Sequence, residues 1–203
     1  MKLFFPFRGL SQKNIPTGCE SVSTVAVLQH LGIDITVDDF IHNYLPCKNF
    51  YRQDGTLYGP DPSEAFAGDP YSKNSLGCYP PVILKALENL RSDDYPGTRN
   101  LLFGNVSGSD FDTLISRYID REIPVILWST IDLREPRDGM QYYLETGELY
   151  TWTAHEHCVV LCGYDAKICY LMDPLQDGQI IVRDKELARL RYEQMRRQAI
   201  VIY

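Results

Sequence analysis

The chain has 203 residues, 44% of them hydrophobic, and a formal net charge of -7. That length suits one domain with a well-buried core, and the acidic balance excludes the basic face of a nucleic-acid binder. No stretch approaches the roughly 18 apolar residues of a membrane span, and Met1 to Phe7 is too short for the apolar core of a signal peptide. The chain is expected in the cytosol, or exported by a signal outside this stretch, with neither nucleic acid nor membrane as a partner.

Residues 1–16 read as extended and irregular, broken by Pro6, Gly9 and Pro16. Cys19 then opens an apolar run of helical period (Val22, Val25, Ala26, Leu28) that reaches about Leu31 and stops at Gly32. Thr36 reads as the cap of a second helix, with Asp38 and Asp39 in its first turn and Pro46 at its end. Residues 46–78 show little periodicity and carry five aromatics, as a long functional loop or a packed excursion would. Pro80-Pro81 opens a third helix to about residue 90, and Ser109 is expected to cap a fourth over 110–121.

The second half changes character. Pro124 to Trp128 is a short apolar run suited to a buried strand. Residues 132–153 are polar and turn-rich. His157 to Tyr164 is apolar on both faces, which predicts a central strand. Ile168 to Met172, Gln179 to Val182 after an Asp177-Gly178 turn, a charged helix over 184–197 and a last strand from Ala199 follow. Helices first and strands second imply an α+β fold. It is expected as one domain, its helical part spanning about 1–121 and its antiparallel sheet about 122–203.

Of the six cysteines (Cys19, Cys47, Cys78, Cys158, Cys162, Cys169), Cys19 stands apart. A thiol at the first turn of a helix feels the positive end of the helix, which favours thiolate, the nucleophilic form. Four of the other five lie in apolar or aromatic surroundings and read as buried reduced thiols. A nucleophilic Cys needs a base, and the base needs an orienting acceptor. His157 opens a strand and Asp173 ends the next, both centred near Asp165, so hairpin pairing sets them side by side. One ring nitrogen of His157 would meet Asp173 and the other the sulfur, unless a bulge shifts the register. His155 is the rival base, placed on the same face by alternation. His155-x-His157 is also spaced as a metal pair, but no further ligands stand near it; no metal and no cofactor is expected. The backbone N–H of Cys19 and a side-chain amide upstream, Gln12 or Asn14, are candidate oxyanion donors.

These residues, in the order Gln12, Cys19, His157, Asp173, resemble the papain-like cysteine peptidases, most nearly the family of double-glycine-leader (bacteriocin-processing) peptidases and their stand-alone bacterial relatives. Pro16-Thr17-Gly18-Cys19-Glu20-Ser21, Gly77-Cys78-Tyr79, His155-Glu156-His157-Cys158-Val159-Val160-Leu161, Gly163-Tyr164-Asp165 and Asp173-Pro174 carry the likeness, which spans nearly the whole chain. It implies a papain-like cysteine proteinase fold, a helical lobe with the nucleophile packed on the sheet, and peptide-bond hydrolysis through a thioester. Carried over, Cys19 is nucleophile, His157 base then acid, Asp173 orienter and Gln12 oxyanion donor, with a peptide or protein as substrate. The likeness departs at Glu20, where many relatives have Gly, and in a Gln-to-Cys spacing of seven rather than six. A carboxylate beside the nucleophile opposes thiolate if it points the same way. A cell-wall peptide amidase or transpeptidase with the same triad, and a peptide-binding module without turnover, are the alternatives.

Overall fold

The computed structural model describes residues 3–203, Leu3 and Phe4 by backbone alone. Its organising element is the helix α1 (Cys19–His30), preceded by the short strand β1 (Leu3–Phe4). Every α1 residue from Cys19 to Leu28 is buried, including Ser21, Ser23 and Thr24. The helix is therefore enclosed on all sides rather than laid on the core by one apolar stripe. Its small polar side chains permit this because two turn inward on backbone: Ser23 Oγ donates to the Cys158 carbonyl (3.2 Å) and Thr24 Oγ1 to that of Glu20 (2.7 Å). The helix ends where Leu31 N–H bonds back to Val27 and Leu28 and Gly32 takes φ +84°.

α2 (Val37–Tyr44) is capped by the Thr36 hydroxyl on Asp39 N–H, as its sequence predicts. The aperiodic stretch 46–78 is more ordered than expected. It holds β2 (Cys47–Lys48), β3 (Tyr51–Gln53), β4 (Thr56–Gly59) and β5 (Phe66–Ala67). β3 and β4 form a hairpin about Asp54-Gly55, whose φ values of +49° and +82° are those of a primed turn. Strands of two to four residues are too short to show alternation, which is why the segment reads as loop. α3 (Pro80–Ser92) and β6 (Phe103–Asn105) follow; β6 was unforeseen. α4 (Phe111–Arg117) is preceded by Asp110 rather than Ser109 and gives way to a separate 3-10 turn over Ile119–Arg121.

β7 (Val125–Thr130) is followed by β8 (Arg137–Leu144) and β9 (Leu149–Ala154), a hairpin inside the polar segment 132–153. β10 (Glu156–Tyr164), β11 (Ile168–Asp173), β12 (Gln179–Asp184), α5 (Lys185–Gln194) and β13 (Ala199–Ile202) complete the chain.

The main sheet runs β12-β11-β10-β7-β13-β6 with antiparallel neighbours, and β1 pairs with the end of β10. β10 is central, as its double-sided apolarity requires. α1 packs on β10, and α5 on β7, β11 and β12. A second sheet, β3-β4-β8-β9, joins the two unforeseen hairpins through the parallel pair β4–β8. The halves expected as helical and sheet-forming therefore interpenetrate: β1 and β6 come from the first 121 residues and still enter the main sheet.

One irregularity positions the site. β10 and β11 pair Tyr164 with Cys169 and Gly163 with Tyr170, then shift at Cys162 to pair Leu161 with Leu171 and Val160 with Met172. Without this bulge, His157 and Asp173 would differ by an odd offset and face opposite sides of the sheet. The extra residue restores the even offset, so both point to the same face.

Candidate active site

The buried His157 and Asp173 meet as the hairpin argument requires, Nε2 to Oδ1 at 2.7 Å. They meet diagonally rather than directly opposite, because the turn is centred beyond Asp165: Tyr164 pairs with Cys169, and past the bulge Asp173 falls opposite Val159, two residues from His157. Asp173 Oδ1 also accepts the N–H of Leu175 (2.9 Å). Burial raises the Asp173 carboxyl, but the hydrogen bond and charge of His157, with the Leu175 amide, outweigh it and hold the group below its usual range.

Cys19 is the first residue of α1, but its sulfur does not turn to the imidazole. Sγ donates to Oε2 of the neighbouring Glu20 at 3.3 Å. Glu20 is fully buried, and its Oε1 accepts the backbone N–H of Cys78 at 2.7 Å. Cys78 is held in turn by its carbonyl, which accepts from Trp128 Nε1 (2.8 Å). Glu156 brings a second carboxylate, and one donor atom from each of Cys19, Glu20 and Glu156 lies within 4.8 Å of the others. Gly77 makes room for them: a Cβ there would sit 2.4 Å from Glu20 Oε1 and 3.3 Å from Glu156 Oε2. Burial first, then Glu20 and Glu156, push the Cys19 thiol well above its usual range, against the smaller opposing effect of the Cys158 amide. The helix-end argument for an acidic thiol is thus overturned here by desolvation and two carboxylates.

Alternation along β10 places Glu156 and Cys158 on the side of Cys19 and turns His157 the other way. There it lines a small cavity with Ser129, Leu133 and Asp173. Among the described residues no hydrogen bond joins Cys19 to His157, so the expected sulfur–imidazole contact is absent from this arrangement.

Gln12 is buried between the two halves of the site. Its N–H donates to the Pro174 carbonyl (3.1 Å), next to Asp173, and its Nε2 to Pro16 (3.3 Å), next to the Cys19 turn. Its Oε1 is buried and has no partner among the described residues. His155 has φ +67° at the kink between β9 and β10, outside both strands, so strand alternation does not place it on the face of His157. Among the described residues the His/Cys/Asp/Glu group close enough to hold an ion is Cys19–Glu20–Glu156, with neither His155 nor His157 in it. Glu156 was missed by sequence reasoning; its one signal is its place between two histidines in the quoted motif. Cys78, Cys158, Cys162 and Cys169 are buried and unpaired as thiols, as expected, while Cys47 is exposed.

The chain is 26% identical over 189 residues to YvpB, an uncharacterized protein of Bacillus subtilis strain 168, covering 91% of this chain and 68% of that protein. Its fold is similar to the crystal structure of a candidate C39-like peptidase from Bacillus anthracis. The TM-score is 0.82 with 23% identity, over 100% of this chain and 98% of that one. The sequence profile of the Peptidase_C39 like family matches residues 5–200. With that match over nearly its whole length, the chain belongs to the Peptidase_C39 like family.

Proposed function

We propose that this protein is a cysteine peptidase that cleaves peptide bonds through a thioester on Cys19. His157 acts as base and then acid, and Asp173 orients the imidazole. The observation that carries the reading is the buried His157–Asp173 pair at 2.7 Å, whose His157 lies in β10, the strand against which the Cys19 helix packs. A buried carboxylate on Nε2 leaves Nδ1 as the nitrogen that exchanges the reacting proton. In the working state the start of β10, next to the kink at His155, must turn the imidazole to the α1 side; the Cys19 sulfur then leaves Glu20, gives its proton to Nδ1 and attacks the carbonyl carbon. The imidazolium then protonates the leaving amine, and water, deprotonated by the same imidazole, releases the acid. The unpaired first amides of α1 and the Gln12 amide supply the oxyanion donors. Turning the Gln12 amide about its last torsion exchanges its nitrogen for the partnerless Oε1.

The substrate is an extended peptide. A groove of about 460 Å³, lined by Ile41, Leu45, Cys47, Pro70 and Tyr71, borders the Cys19 turn, where Thr17 Oγ1 donates to the Pro70 carbonyl.

The test is trapping. Incubation with a peptide library and rapid acid quench should leave an acyl group on Cys19, seen by mass spectrometry, and Cys19→Ala should abolish both adduct and cleavage with the fold unchanged. Full cleavage by Cys19→Ala would overturn the mechanism. A peptide-binding module without turnover is the second reading, favoured by the Cys19–Glu20 hydrogen bond. It is supported if peptides bind and no acyl adduct forms.

A further inference from the structure

The Cys19 pocket holds two carboxyl groups and a thiol, and among the described residues no ion pair reaches either carboxyl group. Glu20 Oε1 accepts from Cys78 N–H and Oε2 from the thiol. Glu156 Oε1 is shut off from solvent and has no hydrogen-bond partner among the described residues. A buried polar atom without a partner costs about 1–3 kcal/mol, more where it is charged. Two carboxylates side by side raise that cost further unless a positive charge joins them. Gly77, whose missing Cβ leaves the space, and Trp128, which anchors Cys78, keep the pocket open in this shape.

From this geometry we propose that Cys19 Sγ, Glu20 and Glu156 form a binding site for a thiophilic divalent cation of the zinc class. The donor set selects the ion: one thiolate with two carboxylates suits zinc or cobalt, whereas calcium and magnesium take oxygen alone. Zinc bonds sulfur at about 2.3 Å and carboxylate oxygen at about 2.0–2.2 Å, so tetrahedral donors stand roughly 3.3–3.7 Å apart. Cys19 Sγ and Glu20 Oε2 are already at 3.3 Å, and the widest separation in the trio is below 4.8 Å. Glu156 needs to close by about 1 Å, which a glutamate side chain does by torsion alone. On binding, the S–H bond breaks, its proton leaves to solvent and a metal–sulfur bond forms. Three protein donors leave a fourth position for water. Occupancy ties up the sulfur, so the bound ion holds Cys19 out of nucleophilic chemistry and removal of the ion frees it.

Binding is read without turnover, so it stands or falls separately from the peptidase reading. Metal-free full-length protein is titrated with ZnCl2 by calorimetry, and with CoCl2 while the near-ultraviolet sulfur-to-cobalt band is followed. The expected result is one ion per chain, the cobalt band lost in Cys19→Ser, and affinity at least tenfold weaker in Glu156→Gln. Cys169→Ala, which removes a thiol of β11 outside the pocket, should leave both unchanged. Zinc should also protect Cys19 from iodoacetamide, with EDTA restoring labelling. The proposal is overturned if no cobalt–sulfur band appears, if the band survives Cys19→Ser, or if Glu156→Gln binds like the unaltered chain. That last outcome would mean that a proton, rather than a metal, joins the carboxyl pair.

Discussion

At the scale of single residues, the site divides into two partnerships. His157 with Asp173 is an ordinary imidazole–carboxylate pair, and Cys19 with Glu20 is a thiol held by a carboxylate. The consequences differ with pH. The Asp173 carboxyl is held below its unfolded value, so it contributes stability above that value and loses the contribution as pH falls through the folded one. Asp173→Asn should therefore lower unfolding free energy by about 3–5 kcal/mol at pH 7, the cost of breaking a buried pair. In urea titrations the deficit should shrink steadily as pH falls below the range of an ordinary Asp, about 3.9. A deficit independent of pH would mean that the ionic pairing does not contribute. The two histidines should also separate cleanly. His157→Ala should reduce kcat by orders of magnitude, while His155→Ala, at a kink outside the strand, should cost little. Burial pushes the Cys162 and Cys169 thiols up to about 12, so neither should be alkylated at pH 8 in folded protein.

At the scale of elements, close approaches and one bulge decide whether the site exists. Gly77→Ala places a methyl 2.4 Å from Glu20 Oε1 and must displace that carboxylate or the loop. Overpacking of this kind costs about 1–3 kcal/mol, measurable as a lower urea midpoint with unchanged slope. Trp128→Phe should be destabilising for a different reason: it leaves the Cys78 carbonyl, now bonded to the indole N–H, without a donor in a dry environment. The bulge at Cys162 has a subtler role. It changes no composition and leaves β10 equally apolar, yet it sets the parity that brings His157 and Asp173 to one face.

At the scale of the molecule, the two sheets differ in how they are anchored. β10 is buried along nearly its whole length between β11 and β7, whereas β3 is exposed at every residue on the edge of the second sheet. Amide exchange should accordingly be slowest in β10 and α1 and much faster in the β3–β4 hairpin, which opens without disturbing the core. The exposed side of that sheet carries Tyr51, Tyr58 and Tyr143 in adjacent register positions, with Tyr51 and Tyr58 stacked at 5.4 Å. The opposite side turns Tyr142 into the core.

Much of this was written in local sequence. Cys19 at a helix start after Pro16 and Gly18, the Thr36 cap, the Pro80-Pro81 opening and the doubly apolar strand from His157 are local signals of propensity and period, and the fold keeps them. The pairing of His157 with Asp173 was legible because a short turn joins neighbouring strands, so few registers compete. What tertiary structure alone decided has long sequence separation or no period. The β3–β4 hairpin within 46–78 joined a larger sheet only by finding β8, more than eighty residues on. Glu156 came beside Glu20 because α1 packs on β10. The protonation of Cys19 followed the same rule. The local helix end favours thiolate, but burial and two carboxylates brought by the fold are stronger, because a low-dielectric interior magnifies charge at short range.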